Sequence, residues 1–188
     1  MQPWVHRDIQ LVLERMPLSV REGPFIGIHI RRGDKILEAA PVETKVYLET
    51  ALAYMTVCSC EDDLPEGCGE RRTRSPTEIR AIYLASDDRD VEKEVRELAP
   101  NYFKSDIDIV FASAGIKGFQ LPDATPTFTK DQTYWTQLFF LADVKQLVNA
   151  DLFVGTFSSN VGRLIYVLRK HVSAISVPEQ RGRDWRPS

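Results

Sequence analysis

Short apolar runs rich in β-branched residues recur along this chain, and each ends abruptly in a polar cluster. Phe25-Ile26-Gly27-Ile28-His29-Ile30 stops at Arg31-Arg32-Gly33-Asp34-Lys35, and Ala81-Ile82-Tyr83-Leu84-Ala85 stops at Ser86-Asp87-Asp88. Leu152-Phe153-Val154 turns through Gly155 into Thr156-Phe157-Ser158-Ser159-Asn160, and 108–112 and Val172–Val177 are two further runs. Continuous apolar runs suit strands buried on both faces, and the polar cluster marks where such a strand leaves a parallel sheet. Helical patterns fall between them. One is predicted over 3–16, with Val5, Ile9, Leu11, Val12 and Met16 inward, and one over 43–57, with Val46, Leu48, Leu52 and Met55 on one side. Others are predicted over 89–99, stopped by Pro100, over 131–149 and over 161–170. Regular alternation of strand and helix implies an α/β fold, a Rossmann-like parallel sheet with helices on both faces, in which ligands bind beyond the C-terminal strand ends.

The 188 residues are enough for one domain with a real core. The expected organisation is an N-terminal helix and linker over 1–24, a Rossmann-like domain over 25–178, and a polar tail over 179–188. The polar, aperiodic stretch 58–78 is a surface loop insertion. Lys and Arg number 24 against 27 Asp and Glu, a net charge of −3, so the chain has no global attraction for nucleic acid or an anionic membrane. A phosphate site must therefore be a local cluster. No apolar run reaches the roughly 18 residues of a membrane span, and MQPWVHRD does not read as a signal peptide. Cys58, Cys60 and Cys68 lack the fourth ligand of a tetrahedral zinc site, which leaves a local disulfide or free thiols.

Of the three polar strand ends, His29-Ile30-Arg31-Arg32-Gly33-Asp34-Lys35 with Glu38 beyond it carries the most chemistry. Guanidinium is always charged and binds phosphate oxygens through paired donors, and Lys35 adds a point charge. Together they suit a nucleoside-diphosphate leaving group without a metal, with Asp34 holding one arginine. The competing reading is a solvated charged turn. Thr156–Asn160 precedes a helix whose free N–H groups make an anion site, unless its residues only cap the helix. Ser86-Asp87-Asp88 is explained by ordinary capping. Asp143, mid-helix among apolar residues, needs a partner: a guanine base edge or a neighbouring cation. Asp106-Ile107-Asp108 and Asp88-Arg89-Asp90 match the D-x-D pattern of metal-dependent glycosyltransferases, but at chance frequency. Arg32-Gly33-Asp34 is a cell-adhesion string too short to be specific, and His6 and His171 read as surface or local structural residues.

The three strand ends, in this order, resemble the α-1,6-fucosyltransferase family, which adds core fucose to N-glycans in animals or modifies chitin oligosaccharides in rhizobia. The resemblance runs from about Gln2-Pro3-Trp4 to about Val177. It rests on GIHIRRGDKILEAA, on IYLASDD and on ADLFVGTFSSNVGRLIY. The first motif is shared with α-1,2-fucosyltransferases, and the third is similar to the core-fucosylation group.

The resemblance implies that His29 and Asp143 contact guanine, that Arg31 grips the donor diphosphate with Arg32 as its required neighbour, and that Asp34, Lys35, Asp87 and Asp88 frame the donor. It places Ser159 and Asn160 at the phosphate turn and Glu38 as general base, with Lys35 toward the phosphate. The chain has one residue fewer between Lys35 and Glu38. Gly155 and Gly162 stand where relatives carry a pair of cysteines. The implied activity is an inverting, metal-independent transfer of fucose from GDP-fucose to an N-glycan core GlcNAc in α-1,6 linkage, with no cofactor, in the Golgi lumen. The family's anchor, stem, first catalytic half and SH3-like domain are expected to lie outside this chain, which leaves the donor-binding half, a missing N-terminal half or a homodimer being possible in the full protein. The alternatives are a fucosyltransferase of another linkage, α-1,2 or protein O-linked, or a GDP-binding piece that does not catalyse.

Overall fold

The computed structural model describes residues 3–32, 42–59, 75–88, 90–111, 130–169 and 173–178. The strands among them are β1 (Phe25–Ile30), β2 (Ala81–Ser86), β3 (Asp108–Phe111), β4 (Leu152–Gly155) and β5 (Ala174–Ser176). The helices are α1 (Pro3–Glu14), α2 (Leu18–Arg21), α3 (Thr44–Cys58), α4 (Asp90–Leu98), α5 (Lys130–Asn149) and α6 (Asn160–Leu168). A 3-10 turn over Ala99–Asn101 accommodates Pro100 and ends α4. All of these strand pairs are parallel, in the order β3-β2-β1-β4-β5. The chain winds outward from β1 to β3, then crosses back through α5 to lay β4 on the other side of β1. The crevice between β1 and β4 is thus the topological switch point.

The pleat of β1 divides the core. Ile26, Ile28 and Ile30 face a layer that includes Tyr47, Leu48, Ala51 and Met55 of α3 and Val91 and Val95 of α4. Phe25 on the opposite face shares a core with Tyr83, Phe153, Val144 and Leu147 of α5 and Ile165 of α6. Both faces are covered, which is why the strands read as unbroken apolar runs.

Elements and expectations agree closely, with two corrections. Leu18–Arg21 is a short helix inside the stretch expected to be linker after the first helix. Leu11 is not an inward residue but is half exposed, at 49%. α1 packs on α5 through Val5, Ile9, Val12 and Leu13, with Leu138 and Ala142 opposite. At about 100° per residue, Leu11 lies roughly 200° from Ile9 and points outward.

A part-buried cation holds the joint between α5 and β4. Arg169, just past α6, donates to the carbonyls of Leu147 (3.2 Å), Val148 (2.8 Å), Ala150 (2.6 Å), Asp151 (3.3 Å) and Ser173 (3.2 Å). These include carbonyls that the end of α5 leaves without helical partners. Burial pulls the guanidinium down to about 10, so it is still charged at neutral pH.

Candidate functional site

Because the sheet is parallel, β1, β2 and β4 all end at one edge, and each hands the chain to a polar cluster there. Ser86 follows Ala85 in the register that pairs it with Ile30, so Arg31-Arg32 and Asp87-Asp88 leave side by side. β4 lies on the other side of β1, and its end leads into the start of α6. Thr156–Asn160 therefore shares this edge.

His29 is buried, at 8% exposure. It stands on the odd-numbered face of β1, the α5/α6 side of the sheet. Asp143 of α5 lies on the same side, and its Oδ1 accepts a 2.7 Å hydrogen bond from the Tyr83 hydroxyl. Burial pushes the Asp143 carboxyl up to about 7, against the lowering effect of the Tyr83 bond. Tyr83 is itself held far above the usual phenol range, first by burial and then by the Asp143 charge. A desolvated carboxyl set near neutrality has the character of a functional group. The sequence suggested a cation or a base edge as the partner of Asp143, and the fold supplies a phenol. Sequence reasoning missed Tyr83, whose only signal was a hydroxyl on an otherwise apolar strand.

The two arginines part company. Arg32 lies on the α3/α4 side. Its Nη1 and Nη2 each reach a Glu94 carboxylate oxygen at 2.7 Å, and Nη2 also reaches the Thr44 hydroxyl at 2.8 Å. Thr44 in turn donates to Glu94. Asp88 lies 3.8 Å from Nη1. The Glu94 bonds raise the Arg32 guanidinium pKa, and the Arg32 bonds hold the Glu94 carboxyl below its usual range. Arg32 also gives its backbone N–H to Asp87 at 2.8 Å. Ile30 and Arg32 thus share this face, and Arg31, between them, is half-buried.

Asp87 and Asp88 are thus engaged in the frame. Asp87 ties the β1 exit to β2, and Asp88 accepts the Asp90 N–H at 3.0 Å, capping α4.

At the third strand end, Ser159 is the N-cap of α6 with extended backbone, yet its side chain makes no capping bond. It is 1% exposed, and its hydroxyl has no hydrogen-bond partner among the described residues. A buried hydroxyl without a partner is rare and costly, about 1–3 kcal/mol, and its position at a nine-residue helix start suits an anion. Asn160 is exposed and accepts a bond from the Arg163 guanidinium. Gly162 has no room for a side chain, since a Cβ there would collide with the Thr156 carbonyl oxygen. That close approach seats the first turn of α6 against Thr156.

Asp34, Lys35 and Glu38 lie outside the described residues, as do Cys60, Cys68 and His171. Cys58, the last residue of α3, is disulfide-bonded. Asp108 begins β3 at the opposite edge of the sheet and accepts the Ser19 hydroxyl proton at 2.5 Å, remote from the three clusters. Among the described residues no group of three His, Cys, Asp or Glu side chains is placed to hold a metal ion, and no helix is long and apolar enough to cross a membrane.

The comparisons with known proteins point one way. Residues 1–176 match the family described as alpha-(1,6)-fucosyltransferase N- and catalytic domains. The alpha-(1,6)-fucosyltransferase of Caenorhabditis elegans is 31% identical over 159 residues, covering 84% of this chain and 24% of that protein. This chain therefore spans about a quarter of the length of that relative. With a family match running through nearly all of its 188 residues, the chain belongs to the alpha-(1,6)-fucosyltransferase family.

Proposed function

We propose that this chain binds GDP-fucose at the C-terminal edge of β1, β2 and β4 and supplies the donor-binding half of an α-1,6-fucosyl transfer to an N-glycan core GlcNAc. One observation carries the reading: the three clusters of a fucosyltransferase-family chain share one edge of a Rossmann-like sheet, two of them flanking its switch point. Ser159, buried at the start of α6 with its hydroxyl unsatisfied by the described residues, adds a place for phosphate oxygen.

In this reading Asp143 and His29 take the guanine, Arg31 takes the diphosphate through paired donors, and Ser159 and Asn160 line the phosphate turn. Arg32, Asp87 and Asp88 belong to the donor site as its frame, and Asp34 and Lys35 extend it. Glu38 removes the proton from the acceptor hydroxyl as its oxygen bonds to the fucose anomeric carbon. The bond from that carbon to the diphosphate breaks on the opposite side, inverting the centre. The electron pair stays on GDP, where Arg31 and Lys35 stabilise the growing charge. The step needs no metal. The reading puts the chain in the Golgi lumen, and the Cys58 disulfide is in keeping with an oxidising compartment.

Calorimetric titration in EDTA tests this. GDP binds, ADP binds at least about tenfold more weakly because it lacks the donor pair that Asp143 accepts, and EDTA changes nothing. Equal affinities for the two, or a strict requirement for Mn²⁺, overturn the reading. Binding without turnover would support the donor site and leave catalysis to a longer protein, consistent with the quarter of the relative's length that is matched.

A further inference from the structure

Residue 32 is fixed at both ends. Its main-chain N–H is bonded to Asp87 at the exit of β2, and its guanidinium is gripped by Glu94 of α4 and Thr44 of α3. The peptide that joins it to Arg31 therefore has little freedom to rotate, and the Arg31 side chain starts from a set origin. We propose that Glu94, with Thr44, is a positioning residue for the donor diphosphate: by holding Arg32 on the α3/α4 side it fixes the main chain from which Arg31 reaches the diphosphate. This rests on the reading that the edge takes GDP. Neither Glu94 nor Thr44 lies in the three sequence clusters. Arg32 and Glu94 are 62 residues apart and meet only when α4 docks on the sheet.

Two effects compete when Glu94 is neutralised. One fewer carboxylate makes the edge more positive, which favours an anion. Loss of the paired grip releases Arg32 and blurs the aim of Arg31, which disfavours it. The first acts through partly exposed charge and is screened over about 8 Å at physiological salt. The second is geometric and insensitive to salt. Aim is therefore expected to dominate, and its deficit to persist as salt is raised.

The test is titration of the chain and its variants with GDP and with guanosine, which lacks phosphate. Glu94→Gln keeps the shape but only half of the paired grip. It weakens GDP about tenfold, as expected for loss of a charge-assisted bond that aims another, and leaves guanosine affinity unchanged. Arg32→Ala and Glu94→Ala combined bind GDP no more weakly than Arg32→Ala alone, because Glu94 acts through Arg32. Thr44→Val shows a smaller loss of the same kind, and Thr44→Ser restores the parent affinity. Glu92→Gln, on the same helix, serves as an unaffected control.

GDP affinity unchanged in Glu94→Gln overturns the proposal. So does an equal loss of GDP and guanosine, which marks a merely structural pair, and so does additivity in the double variant. Should Glu94→Gln fail to fold, the Thr44→Val and Thr44→Ser contrast decides alone, equal GDP affinities overturning the role. A parent chain that binds no GDP overturns the donor reading itself, whereas a parent that binds GDP beside an unaffected Glu94→Gln overturns only the positioning role.

Discussion

Replacing Asp143 by Asn keeps an oxygen that can accept the Tyr83 hydroxyl proton and removes the charge that burial resists. The carboxyl is raised from 3.8 to about 7 in the fold. A raised acid contributes stability that is fully present below its unfolded pKa and is lost as pH rises through its folded one. One pKa unit is worth about 1.4 kcal/mol, so the ionised carboxylate costs the folded chain on the order of 4 kcal/mol at pH 8. At pH 5 the same linkage costs only on the order of 1–2 kcal/mol. The amide introduced by Asp143→Asn carries its own constant penalty, a buried N–H₂ needing a partner, but that penalty does not depend on pH. The stability gap between variant and parent therefore widens in favour of Asp143→Asn by roughly 2–3 kcal/mol from pH 5 to pH 8 and flattens above. Denaturant melts at four pH values measure it. The same change weakens GDP at pH 8 by about tenfold or more, since a charged acceptor is lost. The parent should bind GDP about tenfold more weakly at pH 6 than at pH 8, because only the ionised fraction of Asp143 is competent. Parallel stability curves, together with pH-independent GDP affinity, would refute the reasoning, because Asp143 would then be neither strained nor the guanine acceptor.

Three further outcomes follow from the same site. Arg31→Ala weakens GDP by about 1.5–3 kcal/mol in titration, and Arg31→Lys does not restore it, because a point charge lacks the paired geometry; parent-like affinity in Arg31→Ala would reduce the strand end to a solvated turn. Glu38→Gln leaves GDP affinity nearly unchanged and lowers fucose transfer about 10²–10⁴-fold, measured by product formation in an active protein carrying this chain; full transfer would place the base elsewhere. Gly162→Ala drives a methyl into the Thr156 carbonyl oxygen, so thermal melts should show a loss of about 1–3 kcal/mol and GDP binding should weaken as the phosphate turn shifts; an unchanged melt would mean that α6 yields freely.

Much of the architecture was legible because each strand is an unbroken apolar run and each run ends in polar residues. Those two features carried β1, β2 and β4, their shared edge and the placement of His29, Arg31 and Ser159. What escaped the sequence is what tertiary docking creates. Arg31 and Arg32 read as one basic pair, but a partner 62 residues away takes the second. Asp143 read as an acid in need of a cation or a base edge, and its partner is a phenol from an apolar strand. Leu11 read as core because it is apolar, yet the α1 stripe passes it by.

The central claim is that three separate strand ends make one GDP site. Backbone amide chemical shifts of the isotopically labelled chain, recorded as GDP is added, test it most directly. Shifts concentrated at His29–Arg32, Asp143 and Thr156–Asn160, with Asp108 and the Phe25 end of β1 silent, are the predicted result. Shifts confined to a single cluster, or centred on the opposite edge of the sheet, would contradict it.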